Sequence, residues 1–115
     1  MIKLNSLYLL VCFCLIGIFI SCGKQVSNNR LRIGITSIIE QPALVDARNG
    51  FEDALAKAGW DTSKVEIVYE NAQGSTQKAT QIATKFVGNE VDLIYAISTP
   101  SAVAVAQKTD KIPII

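Results

Sequence analysis

The feature that most constrains the fold is a regular alternation, from residue 31 onward, between short apolar runs and longer segments with helical periodicity. Short β-branched runs bounded by polar residues are typical of buried strands in a parallel sheet. The sequence predicts four such strands, at residues 31–36, 65–70, 91–98 and 112–115.

Three helices are predicted between these strands. The first has Pro42 near its start and Gly59 where a C-terminal glycine belongs, and its apolar residues recur at spacings of three and four: Leu44, Ala47, Phe51, Ala54, Leu55 and Ala58. The second has Ser75 as a possible N-cap and Gly88 at its end, and the third covers residues 100–108. The order βαβαβαβ predicts an α/β fold, a doubly wound parallel sheet with right-handed crossovers and helices on both faces.

The first 21 residues have the organisation of a secretory signal peptide. Lys3 precedes an apolar run at residues 7–20, which is short for a spanning helix of about 20 apolar residues. Because a cysteine follows Ser21, the stretch "FISC" resembles a bacterial lipobox, although Phe19 replaces the usual leucine. We expect a lipoprotein signal peptide at residues 1–21, a lipid such as palmitate on Cys22, and an extracytoplasmic domain anchored to the cell membrane. An uncleaved membrane anchor is the alternative.

Composition argues against several classes of function. Histidine is absent and all three cysteines lie at or before residue 22, so the mature domain offers no disulfide, thiolate metal site or imidazole base. After Cys22, ten Lys and Arg face ten Asp and Glu, which is not a nucleic-acid-binding balance. We therefore expect no enzyme activity, no cofactor or metal, and no nucleic-acid partner. Residues 22–30 are polar and are predicted to form a linker.

Three polar loops follow the predicted strands, and each leads into a helix: "TSIIEQP", "ENAQGST" and "STPSA". In open parallel sheets, ligands bind outside the carboxyl ends of the strands, and helix N-termini favour anions. Ser98, Thr99 and Ser101 offer hydroxyls there, and Pro100 presets a helical turn whose amides suit a carboxylate or phosphate. Ordinary helix capping, worth about 1 kcal/mol, is the alternative reading of these residues.

Other polar and aromatic residues are explained by ordinary structural roles. Asn71 and Gly74 are common turn formers. Asp46 and Arg48 lie in the first predicted helix, where a solvated face is the default. Trp60, directly after Gly59, is expected to pack near the helix end.

Long stretches of the chain resemble a known family: "GITSIIEQPALVDARNGFEDALAKAGW", "NAQGSTQKATQIATKFVGNEVDLIYAISTPSAVAVAQ" and "KIPII". They resemble the ABC transporter substrate-binding proteins that include binders of tryptophan and other aromatic amino acids. The resemblance implies a periplasmic-binding-protein fold of two α/β lobes with the solute enclosed between them. It also implies an importer permease as partner and an amino acid or similar small molecule as solute. Carried over by motif, the positions expected to face the cleft are Ser37, Ile38, Gln41, Asp46, Asn71, Thr99 and Ser101.

The chain is shorter than the members of this family. Residues 23–115 amount to about one domain, whereas the family has two lobes, so we expect residues 31–115 to be a truncated N-terminal lobe with the second lobe absent. A flavodoxin-like or receiver domain shares the element order, but the first predicted strand ends without the acidic residues that a receiver needs. A sensor or adhesion lipoprotein on the same lobe, and a non-functional fragment, stay open. So does the choice among amino acid, small carboxylate and nucleoside-like solutes.

Overall fold

Three parallel strands and three helices alternate along the chain in the computed structural model, which describes residues 29–115. The elements are β1 (Leu31–Ser37), α1 (Pro42–Lys57), β2 (Val65–Asn71), α2 (Thr76–Gly88), β3 (Leu93–Ile97) and α3 (Thr99–Ala106). The predicted α/β class is confirmed. The predicted signal peptide, Cys22 and most of the predicted linker lie outside the described residues.

The strand order is β2-β1-β3, with β1 in the middle and parallel to both neighbours. Ser37, the last residue of β1, is in register with Asn71 on one side and with Ile97 on the other. Because the strands are parallel, the ends of all three therefore meet at one edge of the sheet. We call this edge, with the loops that follow it, the carboxyl edge.

Two predicted strands are shorter in the structure. β3 covers five residues rather than eight, because the Val91 N–H bonds the Phe86 carbonyl at the end of α2 and Ser98 leaves the β region with φ 91°. The predicted fourth strand is present as a single parallel bridge between Ile94 and Ile114. Pro113 accepts a hydrogen bond from the Ile94 N–H at 2.9 Å, but it has no N–H to give to another rung.

Helices cover both faces of the sheet, as the predicted topology requires. On one face α1 packs over a cluster formed by Ile33, Ile35, Val65 and Ile97. The Phe51 and Tyr95 rings lie 4.6 Å apart between their centroids in this layer. On the other face α2 and α3 cover a second cluster, whose buried members are Ala72, Ala79, Ile82, Ala83, Phe86, Val91, Ile94, Ala104 and Val105.

A glycine sets the distance between α2 and the central strand. Gly34 is buried in β1, and a Cβ at this position would lie 2.7 Å from Cδ2 of the fully buried Phe86. Only a residue without a side chain lets the aromatic ring lie this close to the strand. Two residues further along β1, the buried Thr36 hydroxyl has no hydrogen-bond partner among the described residues.

Helix ends agree with the sequence at all three positions. Gly59 has φ 83° and closes α1 with the expected pair of bonds, from its own N–H to Ala56 and from Trp60 N–H to Leu55. The Ser75 hydroxyl caps α2 by accepting from the Lys78 N–H at 3.2 Å. Gly88 ends α2 as predicted, but it is not a left-handed C-cap glycine. It is the last helical residue, and the left-handed position two residues later is taken by Glu90 with φ 51°.

Within the described range, no helix combines the length and the apolar character that crossing a membrane requires.

Candidate functional site

The strand order opens a crevice at the carboxyl edge. From the end of β1 the chain crosses to β2 on one side, while β3 lies on the other side and leads into α3. The connections therefore diverge between β1 and β3, and this is the position at which open α/β sheets bind their ligands. The loop after Ser37 and the turn at Ser98 form the two sides of this crevice.

The loop after β1 combines a buried and an exposed part. Ser37 is 2% exposed, and its hydroxyl donates to the Ile39 carbonyl at 2.8 Å. Ile38 is half-buried and packs against the core under α2 and α3. Gln41 is exposed as the N-cap of α1, where its side chain makes no capping bond. The Gln41 amide therefore remains at the surface beside the crevice.

The start of α3 is a helix N-terminus without a side-chain cap. Ser98 is its N-cap residue, and the Ser98 hydroxyl instead donates to the Ser101 hydroxyl at 3.4 Å. The helix's own hydrogen bonding begins with Ala102 N–H to Ser98 carbonyl at 3.0 Å, so the N–H groups of Thr99 and Ser101 precede it. Thr99 is exposed and Ser101 is fully buried. Backbone donors and the positive end of the helix dipole thus meet at this turn.

The backbone of Ser98 is strained. Its angles, φ 91° and ψ 150°, lie in a region that residues other than glycine adopt at a cost of about 1–3 kcal/mol. Such strain is concentrated at binding and catalytic sites, because function there outweighs local stability.

The end of β2 is tied to the loop after β1. The Asn71 Oδ1 accepts from the Gln73 N–H at 2.7 Å, and Asn71 Nδ2 donates to the Tyr69 hydroxyl at 3.1 Å. Gly74 N–H donates to the Ile38 carbonyl at 2.6 Å, which joins the two loops. An open groove of about 420 Å³ lies between them and is lined by Ile39, Glu40, Asn71 and Gln73.

Sequence reasoning missed a cluster beside this groove. The Arg48 guanidinium carbon lies 4.1 Å from the centroid of the Tyr69 ring, and Arg48 also pairs with Glu40 at 3.6 Å and Glu52 at 3.8 Å. The solvated face predicted for Arg48 is therefore wrong, since its side chain is only 21% exposed. The spacing of Arg48 and Glu52 is readable as a helical pair, but Tyr69 comes from β2 and only the fold brings it there.

The structure brings most of the predicted cleft residues to the carboxyl edge. Ser37 and Asn71 are the last residues of β1 and β2, Ile38 follows β1, and Thr99 and Ser101 lie in the first turn of α3. Asp46 is exposed about one turn into α1, further from the strand ends. Ser37 and Ser101 are buried, so their hydroxyls support the loops in this structure.

The chemistry available at this edge is that of a binding site. Among residues 29–115, no group of three or more His, Cys, Asp or Glu side chains is arranged as a metal ion would require. What the edge offers is backbone N–H groups, hydroxyls and amides at a helix N-terminus, which together suit a small solute with an anionic group.

Comparisons with known proteins agree with this geometry. The sequence profile of a family described as ABC transporter substrate binding protein matches residues 32–115. The chain is 44% identical over 93 residues to the tyrosine-binding protein of Clostridioides difficile strain R20291, a match that covers 80% of this chain and 27% of the relative.

Solved structures give the same result. One is the ligand-free, open form of a substrate binding protein with adhesive properties from Clostridium difficile, with a TM-score of 0.71 and 46% identity over 73% of this chain and 29% of that one. Another is an ABC domain from Streptococcus pneumonia in complex with L-Trp, with a TM-score of 0.71 and 29% identity over 74% of this chain and 29% of that one. This chain thus spans less than a third of the length of these relatives.

The family profile covers every described strand and helix except the first residue of β1. A flavodoxin-like or receiver assignment is thereby excluded. The chain belongs to the ABC transporter substrate-binding proteins, a family of extracytoplasmic solute-binding proteins rather than of enzymes.

Proposed function

We propose that this chain forms one wall of the solute site of an extracytoplasmic lipoprotein that serves an ABC importer, and that its solute is an amino acid. The observation that carries the proposal is the uncapped start of α3 beside the point where the β1 and β3 connections diverge. Similarity to a tyrosine-binding protein and to a protein solved with L-Trp favours an amino acid over a nucleoside-like solute.

The start of α3 is the proposed site of the solute's carboxylate. The N–H groups of Thr99 and Ser101, the Thr99 hydroxyl and the helix dipole converge there. Because Ser98 makes no capping bond, these amides have no side-chain acceptor competing from the cap position. In this proposal the buried Ser101 hydroxyl holds the Ser98 hydroxyl, which is its hydrogen-bond partner, in place.

The remaining predicted positions are assigned to the rest of the solute. The Gln41 amide lies at the surface of the crevice, and Asn71 fixes the neighbouring turn through Gln73. The Asp46 carboxylate, one turn into α1, is the proposed partner of an ammonium group. Ser37 and Ile38 support the loop that follows β1, because the Ser37 hydroxyl bonds the Ile39 carbonyl and the Ile38 side chain packs against the core.

Amide NMR of the isotopically labelled chain, titrated with L-Tyr and L-Trp up to millimolar concentration, tests the site. NMR is suitable because one wall of a cleft binds weakly. We expect the largest shifts at residues 37–41 and 98–102. Losing one hydrogen bond to a charged group costs about 1.5–3 kcal/mol, so Thr99→Ala with Ser101→Ala should weaken binding roughly tenfold to hundredfold.

A matched variant separates binding from stability. Thr84→Ala removes an exposed hydroxyl of α2 that bonds only the Thr80 carbonyl among the described contacts, and it should leave the shifts unchanged. If the double variant loses about 1 kcal/mol of stability while the titration stays intact, residues 99 and 101 only support their own helix. Shifts confined to other surfaces would likewise contradict the proposed site.

The lipid anchor is proposed at Cys22, on the resemblance of "FISC" to a lipobox. Metabolic labelling with a radioactive fatty acid should mark the wild-type chain and the Cys14→Ala variant. The Cys22→Ala variant should carry no label and keep its leader. Equal labelling of both variants would show that the anchor lies elsewhere.

Adhesion is the second candidate function. It is favoured by the 46% identity to a substrate binding protein described as having adhesive properties. Binding of the purified chain to cultured epithelial cells, compared with a chain carrying the Thr99→Ala and Ser101→Ala changes, tests it. Retained cell binding by the variant would place adhesion on a surface separate from the solute crevice.

A further inference from the structure

Trp60 lies on an exposed surface far from the crevice. It is the sole tryptophan of the chain and is 47% exposed, so the packing role predicted for it is wrong. Trp60 lines two open grooves of about 410–420 Å³ each. Asn29, Leu31 and Lys64 border it in one groove, and Leu55 and Ile67 border it in the other. We call these six residues the Trp60 face.

This face lies at the edge of the sheet opposite to the carboxyl edge. Trp60 follows the end of α1 and precedes the start of β2, and Leu31 is the first residue of β1. The indole is held on a fixed turn, because Trp60 N–H donates to Leu55 at 2.9 Å and the Lys64 Nζ donates to the Gly59 carbonyl at 2.7 Å. Its exposure is therefore a property of a hydrogen-bonded turn.

The chain that leads to the predicted anchor joins the protein at this face. Asn29, the first described residue, borders the same groove as Trp60, and Cys22 precedes it by seven residues. Seven extended residues span at most about 25 Å. With Cys22 acylated as proposed, Asn29 lies within this distance of the bilayer surface, and the crevice lies at the opposite edge of the sheet.

The chemistry of the face suits a lipid headgroup layer. Tryptophan is enriched at membrane interfaces, where its apolar ring and its N–H meet both environments. Ile67, 36% exposed, adds apolar surface. Arg30 and Lys64 bring positive charge to the grooves, but Glu52, Asp61 and Asp92 line the same grooves, so the contact depends on the indole and the apolar side chains rather than on a net positive charge. None of these contributions is large alone, but a tether raises the local concentration of the partner surface.

We propose that the Trp60 face contacts the headgroup layer of the membrane that holds Cys22, so that the crevice is directed away from the bilayer. The proposal rests on the lipid anchor of the proposed function. It adds an orientation: the tethered protein meets its solute in the solution above the membrane, with the anchoring edge below.

Tryptophan fluorescence tests the contact directly, because Trp60 is the only emitter of its kind. The full chain is produced in a bacterial host, purified in detergent and reconstituted into vesicles of phosphatidylcholine and phosphatidylglycerol. We expect the emission to shift to shorter wavelength, iodide quenching to fall, and lipids with bromine on their acyl chains to quench the emission.

A matched variant moves the emitter to α3, which covers the face of the sheet opposite to α1. Trp60→Phe combined with Val103→Trp places the sole tryptophan at a position of α3 where the native side chain is 49% exposed. Its emission should stay accessible to iodide and insensitive to brominated lipid. Equal quenching of both proteins by brominated lipid would overturn the proposed orientation.

Vesicle flotation separates the two proposals. Flotation of the wild-type chain together with an unshifted, iodide-accessible Trp60 would overturn the contact and leave the anchor standing. A chain that does not float would overturn both the anchor and the contact. Flotation that depends on Cys22, together with the expected spectral changes, supports both.

Discussion

Gly34→Ala is the substitution whose effect the structure predicts most directly. The added Cβ would lie 2.7, 2.8 and 3.0 Å from three ring atoms of Phe86, whereas ordinary contact begins at 3.4 Å. The ring would have to retreat by roughly 0.7 Å, the difference between the closest approach and an ordinary contact. Phe86 is 0% exposed and lies among Ala79, Ile82 and Ala83, so no open space receives it.

The expected magnitude follows from two opposing terms. Overpacking a well-filled core costs about 1–3 kcal/mol. Replacing glycine in a strand interior returns about 0.5–1 kcal/mol, because alanine loses less backbone entropy on folding. We expect Gly34→Ala to lower the free energy of unfolding by about 1–2 kcal/mol.

Urea unfolding followed by circular dichroism measures this change. The matched control is Gly50→Ala in α1, where an added Cβ meets nothing within 4 Å. It should raise stability by about 0.5–1 kcal/mol, because alanine is the better helix former. Phe86→Leu should reduce the cost of Gly34→Ala in a double-mutant cycle. If Gly34→Ala proved as stable as Gly50→Ala, the inference that Gly34 sets the approach of α2 would be refuted.

Four further predictions concern single groups, and urea unfolding checks the first three. Ser75→Ala should cost about 1 kcal/mol through loss of the α2 cap, and Thr36→Val should raise stability by about 1 kcal/mol because it removes a buried hydroxyl without a described partner. Glu90→Gly should raise the free energy of unfolding by about 0.5–1 kcal/mol, because glycine adopts the left-handed conformation of this position without strain. An unchanged urea midpoint in any of these three variants would contradict the expectation for that variant. Ser63 lowers the pKa of Asp61 from 3.8 through its hydroxyl and N–H, so Ser63→Ala should raise this pKa in an NMR titration. Ionised Asp61 stabilises the native state at pH values above its unfolded pKa, and this stabilisation is lost as the pH falls through the lowered pKa of the native state. The free energies of unfolding of Ser63→Ala and wild type should therefore differ in neutral solution but not in acidic solution.

The order of elements was determined by the sequence itself. Apolar runs of strand length, separated by segments of helical period, leave few alternatives to a parallel sheet with helices on both faces. The caps at Ser75 and Gly59 were equally readable, because capping depends on residues a few positions apart. Local chemistry also predicted which loops follow the strands, and therefore which polar residues reach the carboxyl edge.

The tertiary structure decided what depends on residues distant in sequence. Ser101 is buried although its loop is polar, and Trp60 is exposed although it is the largest aromatic residue, because burial follows from how α1 and α3 lie on the sheet. Arg48 meets Tyr69 only through the packing of α1 beside β2. The predicted strand at residues 112–115 forms only one bridge, and Glu90 adopts a left-handed conformation. Both outcomes depend on which backbone donors and acceptors the neighbouring elements leave available. A local pattern states what each segment prefers, whereas these contacts exist only after the segments have packed together.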